Sequence, residues 1–124
     1  MNVWFLVAGA LATVTALIHV VAGGRDVVRP LLDGDLAAEP QRTLYAVWHF
    51  ATADLLLSGA ALIALAVRPE PNTPLALFIA AHFLAYAAVF LVVTLRAGWS
   101  RPLLRLPQWI LLLPVAALTG AGVL

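Results

Sequence analysis

The sequence predicts an all-α membrane protein: an up-and-down bundle of four transmembrane helices forming a single domain over residues 1–124. Three observations carry this reading. The chain has 124 residues, 64% hydrophobic and only 10% charged, whereas ordinary soluble domains are roughly 45–50% apolar and about 25% charged. Its apolar residues fall into four runs, each near the roughly 20 residues that a helix needs to cross a hydrocarbon core of about 30 Å. Between the runs lie short segments that combine charge with Pro or Gly. A soluble globule of this size leaves much of its surface exposed, so this much Leu, Ala and Val would be forced outward, where lipid accepts it and water does not.

The helices are expected at about 3–22, 43–67, 75–95 and 107–124. The expected breaks are Gly23-Gly24-Arg25-Asp26, the Arg68 to Pro74 segment with Pro69, Pro71 and Pro74, and the Arg96 to Pro102 segment with Gly98. Transmembrane β-strands would be about 10 residues of alternating pattern, and these runs are continuous and twice as long. The first run is read as a retained helix rather than a secretory signal, because Met1 to Phe5 contains neither Lys nor Arg and the run exceeds a usual signal core. Ala8, Ala12 and Ala16, and Ala116 with Gly120, form rows of small residues at four-residue spacing that let backbones approach closely in lipid. Pro114 is expected to kink the fourth helix.

The seven positive residues are all Arg and lie outside the apolar runs, and the net charge is +1. That distribution argues against a nucleic-acid surface and for a topology signal. Arg25, Arg29, Arg42, Arg96, Arg101 and Arg105 fall on one side of the four expected crossings, and Arg68 on the other. By the positive-inside rule both termini lie outside the cytoplasm. The absence of Lys beside abundant Ala, Leu and Arg points to a GC-rich genome and so to a bacterial inner membrane. Trp4, Trp99 and Trp109 near expected helix ends fit an aromatic belt. Arg29-Pro30-Leu31-Leu32 recurs as Arg101-Pro102-Leu103-Leu104, which reads either as two related hairpins or as two segments lying along the headgroups.

Without cysteine, the chain has no disulfide, thiolate chemistry, iron–sulfur ligation or Cys-type zinc site. Nor does it contain a Gly-rich phosphate cradle, a Ser–His–Asp spacing or an HExxH helix. Four ionisable groups do fall inside the apolar runs: His19, His49, Asp54 and His82. Each costs about 2.5–3.5 kcal/mol on insertion scales, so each needs a partner and raises a functional question. Counted from the inner face at 1.5 Å per residue, His19 and His49 lie roughly 5 and 10 Å deep, and Asp54 and His82 roughly 17 and 20 Å. Two levels result, and the spread of roughly 15 Å argues against one metal held by all three histidines.

For Asp54 and His82, with Ser58 and Tyr86 each one turn away, three readings stand: an interhelical hydrogen-bonded pair that fixes packing, a proton-handling or cation-binding site near the midplane, or an Asp54 that faces lipid or an oligomeric partner. For His19 and His49, with Thr15 and Tyr45 one turn away, the choice lies between interfacial residues in an aromatic cluster and two axial ligands of a b-type haem. The string His19-x3-Gly23-Gly24-Arg25, followed by Arg29-Pro30-Leu31-Leu32 and Trp48-His49-x2-Thr52, resembles an uncharacterised family of small four-helix bacterial integral membrane proteins. The resemblance covers the first half of the chain and implies a fold and a location, without chemistry.

The sequence therefore reads as a small accessory or binding protein of the bilayer, working with itself or another membrane protein, and more naturally a non-enzyme than an enzyme. A haem-carrying electron carrier and a proton-coupled transport or ion-binding subunit are the alternatives. The haem alternative predicts a Soret band in the purified protein that His19→Ala or His49→Ala abolishes; a colourless wild-type preparation eliminates it.

Overall fold

The computed structural model describes residues 1–70 and 72–124, which are helical throughout their ordered elements and contain no strand. Helix α1 (Val3–Ile18) continues as a π-helical segment (His19–Val28) into α2 (Arg29–Asp33). Then follow α3 (Ala38–Val67), α4 (Thr73–Arg96), a short α5 (Pro102–Arg105) and α6 (Trp109–Ala121). Three helices are long and apolar enough to cross a membrane: Val3–Asp33, Ala38–Val67 and Thr73–Arg96. About a third or less of the most apolar stretch of each is buried inside the molecule. The remaining apolar surface requires a surrounding that water does not provide.

Three helices depart from the sequence expectation in their bounds. The Gly23–Asp26 segment does not break the first helix; it lies within a continuous helical rod that ends at Asp33. Glycine lowers helix propensity without by itself ending a helix, and the one positive φ among the described residues is at Gly98. Arg29 N–H donates to the Gly24 carbonyl five residues back, the bond that widens an α-helix into a π-helix. The Trp48 ring lies against Gly23 at the position a Cβ would occupy, so glycine here serves a close approach from α3 rather than a turn.

The last apolar run is also shorter than expected: α6 has 13 residues, about 20 Å at helical rise, against a hydrocarbon core of about 30 Å. Pro107 and Gln108 form a turn before it, accepting from Ile110 and Leu112 N–H at 3.0 and 3.2 Å. Pro114 sits inside α6, where its missing N–H leaves the Ile110 carbonyl without its helical partner. Conversely, α3 begins five residues before the expected position 43. Pro40 falls in its first turn, where an N–H is not needed, and Glu39 is favourable beside the positive end of the helix dipole. Gln41 Nε2 then donates to the Leu31 and Leu32 carbonyls at 3.0 and 2.9 Å, closing the end of α2. Pro71, within the second expected break, lies outside the described residues.

Helix α1 packs against both α3 and α6, and α4 packs against α6; backbone contact between α3 and α4 is sparse. The α1–α3 contact is set by two glycines. A Cβ on Gly9 would stand 2.9 Å from the Gly59 carbonyl, and one on Gly59 would stand 2.8 Å from Thr13 Oγ1. Ala8, Ala12 and Ala16 are all in the core, as their spacing suggests, together with Phe5, Leu62, Phe83 and Val115. By contrast, a Cβ on Gly120 would meet open space.

At the opposite end from the π-helix, Asn2 joins three helices. Its side-chain oxygen caps α1 by accepting from Phe5 N–H, its backbone N–H donates to the Ala66 carbonyl of α3, and its Nδ2 donates to the Gly122 carbonyl after α6.

In lipid the apolar effect does not hold helices together, so close packing must. Gly59→Val places two methyl groups against Thr13 and the Gly9 backbone, and should cost about 1–3 kcal/mol. Reversible unfolding in mixed micelles measures this; Ala60→Val, at an exposed neighbouring position, should cost far less.

Candidate functional site

Two of the ionisable groups inside the apolar runs meet across the sparse α3–α4 side. Asp54 lies near the middle of α3, and His82 lies ten residues into α4. The carboxylate Oδ2 and the imidazole Nε2 approach to 3.2 Å, and the two side chains keep 27% and 26% of their surface exposed. Both of these facing atoms are shut away from the surface, and neither has a partner in good hydrogen-bond geometry. The contact is therefore a close, poorly aligned polar approach in a desolvated position, with other edges of both groups open to the surroundings.

The aromatic neighbours of His82 come from its own helix. Tyr86 meets the imidazole edge-on with ring centroids 4.4 Å apart, and Phe78 does so from the preceding turn at 5.8 Å. Residues four apart on a helix share a face, so Phe78, His82 and Tyr86 form one stripe. Ser58 is half-buried one turn from Asp54 on α3. A carboxylate, an imidazole, a phenol and a hydroxyl thus occupy neighbouring turns of two facing helices. An acid and a base at this distance can share or exchange one proton, and such an exchange switches the pair between an ionised and a neutral form.

The other two histidines are arranged differently. The His19 ring stacks on Trp48, with centroids 3.7 Å apart and planes 15° from parallel. Its Nε2 lies 3.3 Å from the Trp48 carbonyl. A carbonyl only accepts, so Nε2 carries the proton in this contact. Thr52 Oγ1 donates to the same carbonyl at 3.3 Å. His49 is exposed and meets Tyr45 edge-on at 4.6 Å.

Thr15 does not orient an imidazole: its hydroxyl donates back to the Leu11 carbonyl at 2.8 Å. The structure brings Asp54 and His82 together, whereas His19 is engaged by Trp48 and His49 by Tyr45. Axial ligation through His19 Nε2 would require breaking its bond to the Trp48 carbonyl. No group of three or more His, Asp or Glu side chains that could hold a metal is present among the described residues.

Two participants were not singled out from the sequence. Phe78 could have been found from its position four residues before His82. Gly23 carries no signal for its contact with Trp48 unless the neighbouring helix is known. Comparison with protein-family models, with characterised proteins and with solved structures finds no match.

The strength of the polar contact is measurable without knowing its role. A double-mutant cycle with Asp54→Asn and His82→Gln, read by unfolding in micelles, should give a coupling of about 1 kcal/mol, within the range of interhelical polar contacts in membranes. Ser58→Ala combined with His82→Gln should be additive to within about 0.5 kcal/mol.

Proposed function

We propose that the chain is a small multi-pass accessory or binding protein of a bacterial inner membrane, crossing it four times with both termini outside, and that Asp54 and His82 form its working element by taking up and releasing a proton. The observation that carries this reading is the 3.2 Å approach of an acid and a base whose facing atoms are desolvated and poorly aligned. A pair serving packing alone gains most from a well-aligned hydrogen bond, since an unsatisfied buried polar group is expensive in hydrocarbon.

The four crossings draw support from three long apolar helices and a shorter apolar fourth beside them. The orientation draws support from six Arg on one side against one on the other. Partial exposure of Asp54 and His82 fits a role exercised toward a second membrane component, either another copy of the chain or a different protein.

In proteoliposomes carrying a trapped pH indicator, wild-type protein should speed dissipation of an imposed proton gradient, and Asp54→Asn should remove that effect while far-UV circular dichroism stays unchanged. Infrared difference spectra should show a carboxyl band whose intensity changes with pH and is absent in Asp54→Asn. A carboxylate silent between about pH 3 and 8, the span over which carboxylate and imidazole ordinarily titrate, would overturn the proposal.

A further inference from the structure

The segment between α4 and α6 combines charge, apolar exposure and anchoring in a way that its sequence twin does not. Gly98, with a φ of 67°, turns the chain at the end of α4. Arg96, Arg101 and Arg105 then occur within ten residues, and no acidic residue follows Glu70 in the sequence. In α5, Leu104 is 67% exposed and Leu103 is also exposed, flanked by the exposed Arg101 and Arg105. Two contacts hold this short element in place. Trp109 Nε1 donates to the Leu103 carbonyl at 3.1 Å, and the Arg105 guanidinium lies 5.9 Å from the centre of the Trp99 ring.

The twin segment, Arg29-Pro30-Leu31-Leu32, has the same four residues in a different electrostatic setting. Nearby Arg25 is paired with Asp26 at 2.6 Å, and Asp33, Asp35 and Glu39 all lie within ten residues of Arg29. One basic, apolar segment thus has acidic residues close by in the sequence and the other has none.

We infer that the α5 segment is a docking surface for the headgroup of an anionic phospholipid, with Arg101 and Arg105 meeting the phosphate and Leu103 and Leu104 lying against the acyl chains. Charge complementarity selects the ligand: a pair of guanidiniums without acidic residues close by in the sequence favours a lipid with net negative charge over a zwitterionic one. The exposed leucines place the site at the boundary between headgroup and hydrocarbon, where a freely soluble phosphate would leave them uncovered. The inference does not depend on proton exchange at Asp54.

Native mass spectrometry of the detergent-purified chain, titrated with phosphatidylglycerol and with phosphatidylcholine, tests it. Wild type should bind phosphatidylglycerol the more tightly. R101Q/R105Q should weaken that binding by roughly 30-fold, taking about fivefold for each basic residue near an anionic surface. R29Q, in the acid-flanked twin, should change it by less than about twofold. Equal affinity of the wild type for the two lipids would overturn the inference, as would an R29Q effect matching that of the double variant. Should R101Q/R105Q fail to fold, R101K/R105K and the salt dependence of the wild type decide. Raising salt from about 0.1 to 0.5 M should weaken phosphatidylglycerol binding and spare phosphatidylcholine, and salt-insensitive binding would overturn the proposal.

Discussion

Helices in a bilayer gain little from hiding apolar surface, since lipid tails are as apolar as leucine, so their spacing is decided by how closely backbones can approach. In this protein that approach is made at Gly9 and Gly59, where a methyl group on either residue would press on the other helix. Helix α1 thereby draws α3 close while also packing on α6, and α4 joins the assembly through α6. The side between α3 and α4 has only sparse backbone contact. It is spanned by longer side chains, among them Asp54 and His82. Tight packing on one side and polar reach on the other are two aspects of the same arrangement.

The polar groups illustrate how differently a membrane helix can treat its histidines. His19 has a flat aromatic partner, a carbonyl acceptor and a glycine one turn on that makes room for the same indole. Its Nε2 is engaged by the Trp48 carbonyl. His82 faces a carboxylate at close range in imperfect geometry, between two aromatic rings of its own helix. The contrast is one of satisfaction rather than burial, since both histidines are half-buried. In hydrocarbon it is the unsatisfied contact that has the larger energetic consequence when a proton arrives or leaves.

The helical class and the apolar character of the long helices were legible in composition and run length, because a bilayer imposes a minimum span that few soluble elements reach. Counting depth along the helices put Asp54 and His82 at one level, and these two groups meet. The same counting also paired His19 with His49, and here it was insufficient: depth carries no information about azimuth, and a step of one residue, from His49 to Trp48, turns the side chain by about 100°. Gly23-Gly24 differs from the expected break for a related reason. A glycine that ends a helix and a glycine that admits a neighbouring indole are identical in sequence, and only the position of Trp48 distinguishes them. The early start of α3 was obscured because polar first-turn residues such as Glu39 and Gln41 read as loop by hydropathy while suiting a helix end.

The Asn2 clamp bears on the order in which the chain can be assembled. Its bond to the Gly122 carbonyl joins residues 120 positions apart, whereas its bond to the Ala66 carbonyl needs only the α1–α3 hairpin. A ribosome delivers α1 first among these helices and α6 last, so the hairpin can close during synthesis while the α6 side of α1 stays without its protein neighbour. For that interval the Phe5 ring, which later abuts Gly122, must be covered by lipid or by the insertion machinery. Completion of the fold is in this sense deferred to translation of the last helix, and a ribosome stalled before α6 emerges would leave a hairpin whose third attachment at Asn2 has not yet been made.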